Sequence, residues 1–410
     1  MKPLDRVRIR TPQGESGELS TVETGDYLFR YGLDAAPQSQ ISLTMPLRDA
    51  AFSSRSLHPV FQMNLPEGYV LEQLRNRLAK TTPLNPMLLM ALTGSGSPVG
   101  RVAVQSASID ELLGTRSDVQ GRSLAQILSW DGAHDLFAEL VDSYILRTGI
   151  SGVQPKVIVP EAAFAADPRA TLLMPELIVK SGRADFPALA INEYVCMDAA
   201  RRAGMPVPDF YLSDNRELFV MRRFDREPDQ RPIGFEDMAV LMGLGTEQKY
   251  DSSYEKIARA IRLFCGPEKI ATSLEQFFDI VALSCMVGNG DAHLKNFGLL
   301  YRDPLGRDAH LAPAYDIVNT TAYIEEDSLA LRLAGSKSLF GSRLGILELA
   351  SACNIRKPGP RLERLIAAVY QSLKANAHLS EHAPQVFLAI EYAVGLYAQT
   401  FAANEGPTAL

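Results

Sequence analysis

Val287-Gly288-Asn289-Gly290-Asp291-Ala292-His293-Leu294-Lys295-Asn296-Phe297-Gly298 follows a long apolar run and leads into a strand-like one. Glycine and asparagine alternate at its start, which marks a loop. Inside that loop Asp291 and Asn296 are separated by four residues. Phosphoryl-transfer loops use this Asp-x-x-x-x-Asn spacing, the carboxylate accepting a substrate hydroxyl proton and the carboxamide holding a magnesium ion. Both residue types are common in turns, so the spacing gains meaning only from partners elsewhere in the chain.

Downstream, Phe297-Gly298-Leu299-Leu300-Tyr301 and His310-Leu311-Ala312 read as a hairpin around Asp303-Pro304-Leu305-Gly306, followed by Ala314-Tyr315-Asp316-Ile317-Val318. An aspartate on that tight exit brings a second metal ligand toward the first. Upstream, Gly149-Ile150-Ser151-Gly152-Val153-Gln154-Pro155-Lys156 is a loop feeding the strand Val157-Ile158-Val159, and Leu177-Ile178-Val179-Lys180-Ser181 is a second strand. Lys180 at its end can meet nucleotide phosphates or extend into solvent. Residues 189 to 203 read as a helix stopped by Gly204 and Pro206. Glu193 on it is either the acid that orients the strand lysine or an exposed carboxylate. Two further strands, at 209–212 and 218–224, complete a small antiparallel sheet before the chain leaves through Asp225-Arg226-Glu227-Pro228, the place of a hinge.

A chain of 410 residues allows two or three compact units. Residues 1 to about 32 alternate apolar and polar positions, as in Val7-Arg8-Ile9-Arg10, and read as short antiparallel strands. Helices are expected at 69–78, 86–92 and 133–146, with a linker at 106–122 between the last two. Beyond about 245 the chain turns mainly helical: 254–264, 274–287, and within 342–353, 358–376 and 384–402. The fold class expected is α+β. A small β-rich N-terminal domain (1–108) precedes a bilobal protein-kinase-like fold, with a small lobe at 109–245 and a largely α-helical large lobe at 246–410.

Hydrophobic residues at 46% and charged residues at 22% are ordinary for a globular protein, and no run is apolar enough to span a bilayer. Cys196, Cys265, Cys285 and Cys353 show no paired spacing and the N-terminus no apolar leader, which suggests a reducing, cytoplasmic setting. A net charge of −7 argues against the whole surface being a nucleic-acid platform; it leaves room for a local basic patch but lends direct DNA binding no support. Two motifs are set aside. Gly94 to Gly100 is rich in glycine but precedes a strand-like run, whereas a phosphate cradle must follow a strand and open a helix. His378-Leu379-Ser380-Glu381-His382 matches a zinc motif but lacks a third ligand and runs into Pro384.

Taken together, these motifs resemble the HipA family of bacterial serine/threonine kinase toxins. Gly149 to Lys156 looks like its phosphate loop, Leu177 to Lys180 like its lysine strand, and Ile191-Asn192-Glu193-Tyr194 like its helix. Arg223-Phe224-Asp225-Arg226 looks like its hinge. Asn289 to Phe297 and Tyr315-Asp316 look like its catalytic and metal loops. Leu65-Pro66-Glu67-Gly68 and Gly100-Arg101-Val102 resemble the domain that precedes the kinase core. The resemblance implies that Asp291 is the catalytic base, that Asn296 and Asp316 hold Mg2+, and that Glu193 orients Lys180. It implies ATP contacts from Ser151, Gly152, Val153, Gln154, Lys156, Lys180, His293, Lys295 and Tyr315, with backbone around Arg222, Arg223 and Phe224 holding adenine. Ser151 is then the expected autophosphorylation site, because the serine-first version of the loop is absent and a phosphate there adds nearly two negative charges. Val240 departs from the pattern, standing where a polar residue is expected. The implied partners are a small helix-turn-helix antitoxin of the HipB kind, DNA only through that antitoxin, and a protein substrate such as an aminoacyl-tRNA synthetase. Two other readings stand beside this one: a catalytically idle corepressor subunit of an antitoxin–DNA complex, and a small-molecule kinase.

Overall fold

Arg6–Thr11 buries every second side chain, and this alternation turns Val7 and Ile9 inward. The strand pairs antiparallel with Gly14–Thr21 on one side and Ala103–Gln105 on the other; Tyr27–Tyr31 and Phe52–Ser54 extend the sheet to five strands. The computed structural model describes residues 4–78, 84–107, 109, 121–145, 148–152, 154–162, 175–182 and 185–402. Val153 and most of the linker expected at 106–122 lie outside the described residues. The inner face of the N-terminal sheet, with Leu19, Phe29 and Tyr31, packs on the helices Pro59–Gln62 and Pro86–Gly94. The second of these starts where Asn85 Oδ1 accepts from the Leu88 N–H at 2.8 Å and proline occupies the first turn, so one orphan donor is satisfied and another removed.

A four-stranded antiparallel sheet follows, in the order Phe210–Leu212, Leu218–Arg222, Glu176–Ser181, Lys156–Pro160. Its two inner strands are apolar on both faces because both faces are covered. Val157, Val159, Leu177, Val179, Leu218 and Val220 meet the helix Leu136–Tyr144, while Ile158, Ile178, Phe219 and Met221 meet Leu189–Arg202. In register Lys156 stands opposite Lys180, so both ammonium groups leave the sheet on the side of Leu189–Arg202.

A third sheet joins Gly234–Asp237 to Gly298–Tyr301 and His310–Leu311. The hairpin expected after the Asp291 loop is thus present, and it gains a strand from before residue 245. Helices Tyr254–Phe264, Ile270–Met286, Gly345–Ala352, Gly359–Ala375 and Pro384–Ala402 build the largest core around it. Ser372 on Gly359–Ala375 donates to the Val195 carbonyl at 2.8 Å and lies 2.9 Å from Asp198 Oδ2, which ties the large lobe to the small-lobe helix. The N-terminal core runs on into Phe235, Val240, Leu300 and Ala312. Val240 therefore serves packing between the N-terminal domain and the third sheet. Beside it the buried Glu236 accepts from the Ser42 and Tyr301 hydroxyls at 2.6 Å each and from the Leu43 N–H at 2.8 Å, so its burial leaves no oxygen unpaired. Residues 377–379 form a short 3-10 turn and the following helix begins only at Pro384, so His378 and His382 share no helix face. No helix among the described residues is long and apolar enough to cross a membrane.

Candidate active site

The helix Ile270–Met286 is stopped at Gly288, whose φ of +76° suits glycine and whose missing side chain leaves room for Asn319. The loop that follows turns the Asp291 carboxylate into a cleft, where Oδ1 accepts from the Tyr250 hydroxyl at 3.0 Å. Burial pushes the Asp291 carboxyl up to about 6; the Tyr250 hydroxyl opposes the rise, and the charge of Asp316 adds to it. A one-turn 3-10 helix, Leu294–Asn296, then folds Asn296 back: its Oδ1 accepts from the His293 N–H at 2.9 Å and its Nδ2 donates to Asp316 Oδ2 at 2.8 Å. Asp316 has φ +59°, a left-handed conformation that few residues other than glycine, asparagine and aspartate adopt. That backbone turn aims both carboxylate oxygens inward, and the second of them meets the small lobe.

Lys180 Nζ lies 2.6 Å from Asp316 Oδ1 and 2.5 Å from Glu193 Oε1. Burial pulls this lysine down, but Asp316 and Glu193 hold its ammonium above the ordinary lysine range. Asp316 is correspondingly kept ionised, its burial outweighed by Lys180 and Lys156. Lys156 differs. Burial pulls its ammonium below the lysine range, Asp316 opposes that and Lys180 reinforces it; among the described residues it makes no ion pair. A side chain on Gly152, at φ +124°, would stand 2.5 Å from Lys156 Nζ.

These groups line one cavity of about 540 Å3 between the lobes. Of the residues expected from the sequence, Ser151, Gly152, Gln154, Lys156, Lys180, Arg223, Phe224, Asp291, His293, Lys295, Asn296, Tyr315 and Asp316 border it. Glu193 stands behind Lys180. Arg222 points elsewhere and pairs with Glu161. Asp237, Lys249, Tyr250 and Asp327 also border the cavity, and no short motif announced them. Gln154 and His293 are lining residues whose Nε2 and Nδ1 atoms are buried and have no hydrogen-bond partner among the described residues. The Asp316 carboxylate suits a hard divalent cation that takes other ligands from phosphate and water, and the Asn296 carboxamide beside it presents Nδ2 to Asp316, so its oxygen meets a cation there once the amide turns over. Among the described residues no group of three His, Cys, Asp or Glu could hold a metal unaided. Phe224 packs against Tyr315 at 5.3 Å between ring centroids and against Phe235 at 5.8 Å, giving the cleft an aromatic wall.

The Arg223 side chain is buried and turned toward the N-terminal domain. It donates to Asp225 Oδ2 at 2.6 Å, Glu176 Oε2 at 2.9 Å and the Pro98 carbonyl at 2.7 Å. Gly100 N–H completes the cluster by donating to Asp225 Oδ2 at 2.7 Å. Removing one partner of such a buried pair leaves an uncompensated charge. Arg223→Met should therefore destabilise the protein by about 3–5 kcal/mol, measured as a shift in the urea midpoint with unchanged slope.

A lysine–glutamate pair between sheet and helix, an Asp/Asn loop and a second aspartate across the cleft define a kinase-like protein. The chain belongs to the HipA family: the HipA-like C-terminal domain matches residues 148–377 and the HipA N-terminal domain residues 7–105. Among curated proteins it is similar to Y4dM of Sinorhizobium fredii, 29% identical over 82% of this chain and 83% of that one. Y4mE of the same organism is 28% identical over 77% and 78%. Both carry provisional kinase names. Among solved structures, HipA of Shewanella oneidensis MR-1, in complex with HipB and operator DNA, superposes with a TM-score of 0.69 at 19% identity, covering 96% of this chain and 97% of that one. That likeness is one of fold.

Proposed function

We propose that this chain is an ATP- and Mg2+-dependent kinase that phosphorylates serine or threonine in a protein, and the toxin of a toxin–antitoxin pair acting in the cytoplasm. The observation that carries the reading is the convergence of Lys180, Asp316, Asn296 and Asp291 on a single cavity. Mg2+-ATP supplies the transferred phosphoryl group when bound. Lys180 and Lys156 offset phosphate charge, Asp316 and, with its amide turned over, Asn296 would hold the cation, and Glu193 holds Lys180 in place. Phe224 and Tyr315, with backbone at 222–224, pack the base. Asp291 takes the proton of the attacking hydroxyl. Phosphoryl transfer asks little more of a protein than this positioning and charge compensation.

The Shewanella protein is bound to HipB and operator DNA, which supports a small DNA-binding antitoxin as partner here and DNA contact through it. A net charge of −7 agrees with an indirect role on DNA. The substrate expected from the resemblance is a component of translation such as an aminoacyl-tRNA synthetase, with growth arrest as the outcome. The division into 1–108, 109–245 and 246–410 belongs to this proposal, with Gly234–Asp237 crossing from the second part into the sheet of the third.

The test is transfer of γ-phosphate from ATP to protein, present with Mg2+ and abolished by EDTA. Label found only on metabolites supports a small-molecule kinase; no transfer at all supports an idle corepressor subunit. Ser151, which borders the cavity, is the acceptor within the chain. Intact-mass analysis after incubation with ATP and Mg2+ should show added phosphate on the wild type and none on Ser151→Ala. Equal gain by the two proteins would place the modification elsewhere.

A further inference from the structure

Glu67 belongs to the N-terminal domain, yet its carboxylate reaches the far side of the cleft. Oε1 lies 2.6 Å from Lys295 Nζ, in the loop between Asp291 and Asn296, and Oε2 lies 3.3 Å from Lys249 Nζ. Both lysines border the cavity; Glu67 stands behind them. Their side chains are each only 9% exposed, so these are ion pairs in a poorly solvated place rather than surface pairs. Burial opposes the charge of Glu67, but Lys295, Lys249 and the Ser151 hydroxyl hold it down at about 2, so it is ionised at neutral pH.

The backbone makes the contact specific. Glu67 precedes Gly68, which has φ +49° and opens the helix Gly68–Leu78, and the Leu71 N–H donates to the Glu67 carbonyl at 3.4 Å. On the other side the Leu294 N–H donates to the Lys249 carbonyl at 3.2 Å, and the Thr246 N–H donates to Gln62 Oε1 at 3.1 Å. The Asp291 loop, the Lys249 segment and the Glu67 turn thus form one connected unit.

We propose that Glu67 is the counter-ion that Lys295 and Lys249 exchange for the terminal phosphate of ATP, so that docking of the N-terminal domain and binding of the triphosphate oppose each other. This rests on the nucleotide reading above and adds to it a role for the N-terminal domain. The chemistry is a competition between two anions for the same ammonium groups. Lys295 lies between Asp291 and Asn296 and is the lysine closest to both in sequence. Coupling of this kind is reciprocal: what weakens the Glu67 contact tightens ATP, and ATP weakens the contact by the same factor.

The experiment uses the full chain and two probes with Mg2+, the β,γ-imido analogue of ATP and ADP, titrated calorimetrically. In Glu67→Gln the analogue should bind about tenfold tighter, a modest share of what a unit charge a few ångströms away contributes in a protein cleft. ADP, which lacks the terminal phosphate, should change by less than about twofold, and Glu67→Asp, which keeps the charge, should stay near wild type. Equal tightening of both nucleotides, or no tightening, overturns the proposal. A structural role alone would shift the melting temperature without separating ATP from ADP. Hydrogen exchange in the wild type serves if Glu67→Gln does not fold: the Leu71 amide should exchange faster with the ATP analogue than with ADP, and equal rates overturn the proposal. If the wild type binds no analogue at all, the nucleotide reading itself falls and takes this inference with it.

Discussion

Asp291→Asn should lower phosphoryl transfer by about a thousandfold while leaving ATP affinity within about threefold of wild type. The substitution keeps the shape of the side chain and an oxygen for the Tyr250 hydroxyl, which lies 3.0 Å away. It removes the negative charge and with it the capacity to take a proton. The same carboxylate sets the pH profile. Burial raises its pKa to about 6, and only the deprotonated form is a base, so kcat/KM should be level above that pH and fall about tenfold per unit below it. Because the Tyr250 hydroxyl stabilises the charged form, Tyr250→Phe should move this acid limb to higher pH. A profile that is flat through pH 6 in the wild type, or an Asp291→Asn protein with near-normal turnover, would remove Asp291 from the reaction.

The parts of this site that short-range pattern can announce were legible in the sequence. Two-sided apolar strands bounded by turns gave the small sheet, and the strand-end position of Lys180 with an acid on the next helix gave the 2.5 Å pair with Glu193. Chemistry created by distant segments was not legible. Glu67 meets Lys295 across 228 positions and Lys249 across 182, and Tyr250 meets Asp291 across 41, separations at which neither periodicity nor motif spacing carries information. Lys156 is an intermediate case. It reads as the end of a loop, and only the register opposite Lys180 puts it on the cavity side of the sheet. The Arg223 to Arg226 stretch reads as a polar hinge because solvated and buried charges look alike in sequence; the structure turns its guanidiniums into a buried network with Asp225, Glu176 and the Ser97–Pro98 segment.

Lys180→Met should reduce phosphoryl transfer by at least about a hundredfold, the loss typical of removing one group that stabilises developing charge. It should also cost about 3–5 kcal/mol of stability, because the fully buried Glu193 then has no counter-charge. The single variant by itself cannot say whether lost activity reflects lost chemistry or a loosened fold. Glu193 supplies the means to separate them. Its second oxygen, Oε2, has no hydrogen-bond partner among the described residues, so Lys180 is the partner of this carboxylate there. In Lys180→Met/Glu193→Leu both halves of the pair become apolar and of similar volume, a change that is often neutral for stability. Urea denaturation of the double variant should therefore recover the share of the deficit that comes from Glu193, while γ-phosphate transfer stays at the level of the single variant. Asp316 loses its 2.6 Å partner Lys180 in both variants and keeps the Asn296 amide at 2.8 Å, so its share of the deficit remains in both. Recovery of transfer together with stability would reduce the Lys180–Glu193 pair to a structural role and leave Lys156 as the lysine that meets the phosphates.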